Sequence, residues 1–205
     1  MKSLSIACLS LSLLYASLGW AQTPKLANPG FEESDTKATG WRFSQHAGVK
    51  AYVIAVDDEV KAEGKHSFRM QRTEKQVYGL LQQMVELTPG SAGTMRLSAE
   101  MRSEKVGKDG WILVVNFLTA LGENIISQVR AKPVTGDSDW ERIELVAPIP
   151  ERTGKLSIGV MLLDEGTGWV DDVQLKIEPP TEEQEGEKKK GKEKPAQKPP
   201  QAVLF

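Results

Sequence analysis

The sequence predicts an all-β domain, folded as a two-sheet β-sandwich or jelly roll, on three observations. Between Leu26 and Ile177 apolar residues recur with period two far more often than with helical period. The runs are bounded by Gly, Pro, Asp and Asn, and no stretch sustains an amphipathic helical stripe. Met95, Leu97, Ala99 and Met101 alternate with Arg96, Ser98, Glu100 and Arg102, the pattern of a strand with one wet face. Trp111 to Leu118 is apolar on both faces, as a strand in the middle of a stack would be. The same alternation places further strands near 49–56, 66–72, 78–87, 124–130, 140–147, 155–163 and 168–177. Short turns such as Thr88-Pro89-Gly90, Lys108-Asp109-Gly110 and Gly136-Asp137-Ser138 separate them, which gives nine or ten strands without an internal repeat.

Both ends differ from this domain. Residues 1–21 read as a signal peptide: Lys2 is the positive end, Leu4 to Leu18 the apolar run, and Gly19-Trp20-Ala21 a small-x-small cleavage site. The alternative is a membrane anchor, but five serines interrupt the run (Ser3, Ser5, Ser10, Ser12, Ser17), and it falls short of the roughly 20 apolar residues a bilayer needs. The mature chain is therefore expected to be secreted or periplasmic, to begin near Gln22 and to contain no membrane span. Cys8, the one cysteine, leaves with the leader, so neither a disulfide nor a thiolate metal site is expected. From 178 to 205 the composition turns to Pro, Glu, Lys, Gln and Gly, which buries too little apolar surface to fold and reads as a disordered tail. With a net charge of −2 and charges of both signs spread along the chain, no basic surface is expected for nucleic acid.

Three segments in order carry a resemblance: Asn28-Pro29-Gly30-Phe31-Glu32 with Gly40-Trp41, then Gly64-Lys65-His66-Ser67, then Gly168-Trp169-Val170-Asp171-Asp172-Val173-Gln174-Leu175. Together they resemble the galactose-binding-like jelly rolls, above all the carbohydrate-binding modules of the cellulose- and xylan-binding kind. The resemblance implies a non-catalytic carbohydrate-binding module with a structural calcium ion. Matched by position, the ligands it implies are the Gly30 carbonyl, the Glu32 carboxylate, a carbonyl near Lys65 or His66, and Asp171. Alternation sets Asp171 on one face with Trp169, Val173, Leu175 and Ile177. A carboxylate turned toward a core needs either a cation or several hydrogen-bond donors, and both readings stand at this point.

Sugar binding needs an aromatic face to stack on pyranose CH groups and polar groups for the hydroxyls. Trp41, Trp140 and Trp169 fit core packing, which leaves Tyr78, Trp111 and Tyr52 as stacking candidates. Arg69, Gln82, Arg96 and Asn116 are the polar ones, and Gln71, Glu100, Arg102 and Gln128 belong to the same strand faces. No metalloprotease, phosphate-loop or nucleophile-elbow motif occurs, which argues against an enzyme. The reading is an exported binding module for a glycan or cell-wall saccharide, with an exported scaffold domain docking a protein partner or supporting a secreted hydrolase as the alternative. An ion-paired face would favour the scaffold.

Overall fold

A computed structural model of the chain describes residues 24–88 and 91–180. The expected leader, and the expected tail from 181 onward, lie outside the described residues. Nine antiparallel strands follow one another: β1 (Arg42–Gln45), β2 (Tyr52–Asp57), β3 (Ser67–Arg72), β4 (Gly79–Glu86), β5 (Thr94–Leu118), β6 (Ile125–Arg130), β7 (Val134–Pro148), β8 (Lys155–Leu162) and β9 (Gly166–Glu178). They form two layers joined through β5. The first layer runs β2-β3-β9-β5-β7 and uses the first part of β5; the second runs β1-β4-β8-β5-β6 and uses its last eight residues. This is the expected two-sheet sandwich.

The inner faces follow the alternation. Met95, Leu97, Ala99 and Met101 of β5 meet Leu145 and Ala147 of β7 and Val170, Val173, Leu175 and Ile177 of β9. From the second layer Leu113, Val115 and Phe117 of β5, Leu81 of β4, and Leu156, Ile158, Val160 and Leu162 of β8 close the core.

Two expected turns are corrected. Lys108-Asp109-Gly110 and Gly136-Asp137-Ser138 do not end strands. They lie inside the β5–β7 pairing, whose register shifts between Met101 and Ser103, Ser103 and Val106, and Val106 and Trp111. Residues suited to turns also supply the positive φ that a bulge needs, here Lys105 (53°), Gly110 (85°) and Gly136 (69°). The result is a bent strand that leaves one sheet and enters the other. β1 was absent from the sequence reading, because a four-residue edge strand has too short a pattern to register.

A third correction falls on β9. A register shift against β5 between Ser98 and Glu100, with Asp172 at φ 41°, resets the alternation. Val170 therefore joins Val173, Leu175 and Ile177 in the core, while Trp169 and Asp171 pair with Arg102 and Glu100 on the outward side.

Trp111 sits at the corner of β5 with no exposed surface, and its Nε1–H donates to the Trp169 carbonyl at 3.0 Å. Its indole lies over Gly168, where an added Cβ would come within 2.5 Å of Cδ2. Gly168→Ala is thus expected to overpack the corner and destabilise the domain by about 1–3 kcal/mol in a denaturant titration; an unchanged midpoint would show that the corner yields.

Candidate functional site

The two outward faces differ in chemistry. On the second layer, strand pairing sets Arg42, Gln82, Gly159, Val114 and Arg130 in one row across β1, β4, β8, β5 and β6. A parallel row holds Ser44, Leu80, Met161 and Ile112, and another Met84, Ser157, Asn116 and Gln128. Although they point away from the core, Ile112, Val114 and Met161 are covered by their neighbours and form the closed floor of a shallow trough; the apolar surface this face exposes comes from half-buried Leu80 and exposed Met84. Gly159, also buried, lets β4 approach closely, for an added Cβ would stand 2.0 Å from the Leu81 carbonyl oxygen.

Polar groups stand beside this floor. Ser157 Oγ donates to Gln82 Oε1 at 2.6 Å, Gln128 Nε2 to Asn116 Oδ1 at 2.6 Å, and Arg130 Nε to Gln128 Oε1 at 2.8 Å. These bonds use the amide oxygens of Gln82 and Asn116. Their NH2 groups have no protein acceptor among the described residues and are free to donate. Tyr78, just before β4, continues the outward alternation of Leu80 and Gln82; its half-buried ring stands edge-on to His46 at 5.9 Å.

The outward face of the first layer is a lattice of ion pairs. Arg96 reaches Glu144 at 2.7 Å and Glu178 at 3.3 Å, and Arg142 reaches Glu100 at 2.9 Å and also bonds Asp172. Arg69 lies 3.5 Å from Asp57, and Arg102 lies 3.6 Å from Asp139 and over the Trp169 ring. Here the arginines are already matched, while Lys176 beside Arg96 has no carboxylate partner among the described residues.

The seven candidate ligand-binding residues are divided accordingly. Tyr78, Gln82 and Asn116 lie in different rows of the second face, while Arg69 and Arg96 belong to the ion-paired face. Trp111 and Tyr52 are core residues, the Tyr52 hydroxyl donating to the Leu162 carbonyl at 3.1 Å, and neither has a face for a ligand. Core packing holds for Trp41, whereas Trp169 is buried on the outward side with its Nε1–H on Asp57. Sequence reasoning missed Arg42, Arg130, Ser157 and Met161. Arg130 alternates with Gln128 and could have been found; Arg42 belongs to the unread strand. A separate apolar cavity of about 470 Å³ opens at the side between β1 and β2, lined chiefly by Trp41, Phe43, Ile54, Val56, Phe68 and Leu81.

The suggested metal ligands are also brought together. Glu32 Oε1 accepts the amides of Lys65 (2.8 Å) and His66 (3.0 Å). Asp171 Oδ2 accepts those of Ala62 (3.1 Å) and Glu63 (3.2 Å), and its Oδ1 that of Asp172 at 2.7 Å. Gly30 lies against the same carboxylate, so an added Cβ there would stand 3.7 Å from Oδ1. Lys65 thus presents its amide N–H to Glu32. The tie made by Asp171 is to the loop before β3; the first segment is held separately, by the Val173 amide on the Pro29 carbonyl at 3.0 Å. Burial pushes the Asp171 carboxyl up to about 6, the charge of Glu32 adding to it and three amides opposing it. Burial pushes Glu32 up as well, but the His66 and Lys65 amides outweigh it and hold that group below its usual range.

No protein-family profile and no curated protein sequence matches the chain. Solved structures do. TmCBM61, in complex with β-1,4-galactotriose, superposes on 76% of this chain and 99% of its own length with a TM-score of 0.52 and 26% identity. Family 16 carbohydrate-binding module-2 superposes on 73% of this chain and 97% of its own, with a TM-score of 0.53 and 17% identity. The enzymatically active domain of bacteriophage CBA120 tailspike protein 4 gives a TM-score of 0.60 at 13% identity over 74% of this chain, which spans only 21% of that one. The fold is the galactose-binding-like β-sandwich found in carbohydrate-binding modules. Among the described residues no helix is long and apolar enough to cross a membrane.

The raised Asp171 carboxyl sets a pH dependence. Its folded pKa exceeds that of an unfolded Asp, about 3.9, so its stabilising contribution is complete below that value and is lost as pH rises through about 6. In metal-free buffer this group is expected to lower stability by up to about 3 kcal/mol between pH 4 and 7. Glu32 acts with the opposite sign, so the difference between wild type and Asp171→Asn isolates Asp171. Identical pH slopes for the two proteins in urea titrations would refute the assignment.

Proposed function

We propose that this chain is an exported, non-catalytic carbohydrate-binding module that holds a glycan on the outward face of the β1-β4-β8-β5-β6 layer. One observation carries the reading: on this outward face the amides of Gln82 and Asn116, whose NH2 groups have no protein acceptor among the described residues, stand beside the accessible apolar side chains of Leu80 and Met84. Apolar surface for sugar CH groups beside donors for hydroxyls is what saccharide recognition requires. The likeness to TmCBM61, which binds β-1,4-galactotriose, supports it and selects the first probe. Export rests on the apolar run at 4–18 and the small-x-small site before Gln22. The absence of a catalytic motif in the sequence supports binding without turnover. A second reading, a scaffold docking a protein partner, draws on the ion-paired outward face of the first layer.

A structural calcium ion at Asp171 and Glu32 is part of the proposal. Two carboxylates close enough for the charge of Glu32 to act on Asp171, whose pKa burial raises, suit a hard cation. No group of three or more His, Cys, Asp or Glu side chains among the described residues could hold a metal ion, so the other oxygens would be backbone carbonyls. Calcium is expected to raise the thermal midpoint and chelator to lower it, because a ligand of the native state alone stabilises that state. Equal midpoints would leave Asp171 as a hydrogen-bonded tie.

Calorimetric titration with β-1,4-galactan oligomers is expected to show saturable binding. Gln82→Ala and Asn116→Ala should each weaken it by roughly twofold to tenfold, the worth of a neutral hydrogen bond. Absence of heat and of thermal shift with neutral and charged glycans alike would favour the scaffold.

A further inference from the structure

Of the seven arginines on strands, five are matched by carboxylates: Arg69, Arg72, Arg96, Arg102 and Arg142. The other two, Arg42 and Arg130, have no carboxylate partner among the described residues, and both are exposed. They occupy the two ends of one row. Arg42 on edge strand β1 and Arg130 on edge strand β6 are joined through Gln82, Gly159 and Val114. Four strand spacings separate their backbones, about 19 Å.

The charge of this face is one-sided. The segments that build it contain only four charged residues, Arg42, Glu86, Arg130 and Lys155, and Lys155 Nζ engages Glu86 at 2.8 Å. That pair cancels, which leaves at the ends of a neutral trough two guanidinium groups without a carboxylate among the described residues; Arg130 spends only its Nε–H, on Gln128. Guanidinium groups bind carboxylate and sulfate in bidentate fashion. At physiological ionic strength the Debye length is about 8 Å, so the two arginines act as separate sites and only a ligand that reaches both gains from both.

We infer that the glycan held on this face is anionic, a uronate- or sulfate-bearing oligosaccharide lying across the strands, with acidic groups on Arg42 and Arg130 and uncharged rings along the row between them. This rests on the glycan-binding reading above and narrows it to a ligand class. Affinity is expected to rise with chain length until the oligosaccharide spans the row, then to level off.

The test is calorimetry on the full chain with oligogalacturonates of increasing length, neutral β-1,4-galactan oligomers of the same lengths, and sulfated galactan oligomers. One anionic series should bind at least about tenfold tighter than the neutral one, and the tighter of the two names the acidic group. Arg42→Ala and Arg130→Ala should each cost roughly tenfold for long oligomers, while for short ones the two losses should not add. Both side chains are exposed, so unchanged thermal midpoints will show the variants folded. Neutral oligomers binding as tightly as anionic ones, with Gln82→Ala still weakening them, would overturn the charge assignment and leave glycan binding intact. Anionic binding that survives the double arginine variant would overturn it too. No binding in any series would defeat both readings.

Discussion

The architecture depends on one strand serving two sheets. β5 runs for 25 residues, pairing first with β7 and β9 and then with β8 and β6. A strand that stays in one sheet exposes one face, and the first part of β5 does so through Arg96, Ser98, Glu100 and Arg102. To change layers it must bend, and the bend is made by three register shifts rather than by a loop. Trp111 locks that corner, because its indole fills the space above Gly168 and its Nε1–H satisfies the Trp169 carbonyl. On each side of the bend, parity along the unbroken part of β5 then fixes which of its residues point outward.

That parity yields two unlike surfaces from one chain. On the first layer opposite charges face each other across neighbouring strands, each exposed pair worth only a few tenths of a kcal/mol. Their stabilisation matters less than their neutrality, since matched guanidinium groups have little left for a ligand. On the second layer the outward positions hold apolar and amide groups, with charge confined to the rim. A neutral trough of this kind can be desolvated by a sugar at low cost. The ion-paired face would first have to give up its own partners.

How much of this was legible in the sequence follows from how far alternation can be counted without interruption. Within 95–101 and 111–118 the count is unbroken, and those strands, their faces and the central place of the second were readable. Across a bulge the count fails. Asp171 was placed with the apolar set because nothing in Trp169-Val170-Asp171-Asp172 announces that Asp172 adopts φ 41° and shifts the register. Trp111 and Tyr52 looked available for stacking because aromatic residues at strand ends suit either a core or a cleft, and only the corner packing decides. Gln82 and Asn116 were found from alternation alone. Their meeting on one face depends on long-range pairing of β4, β8 and β5, which no local pattern encodes.

The buried carboxylate shows how the two surfaces divide their tasks. Asp171 accepts amides of the 58–66 loop, Glu32 accepts those of Lys65 and His66, and Val173 holds the Pro29 carbonyl, so three distant segments converge at one point. A carboxylate so enclosed needs compensation, supplied either by a proton near pH 6 or by a cation. Asp171 lies outward on the first layer, whereas the amide trough lies outward on the second, with the full thickness of the sandwich between them, about 10 Å from sheet to sheet. No ion at Asp171 can therefore touch a glycan on the trough. Whatever compensates that charge acts on the stability of the loop and first segment, and the recognition proposed above would rest on the opposite face, in the amides of Gln82 and Asn116 and the arginines at the ends of the Gln82 row.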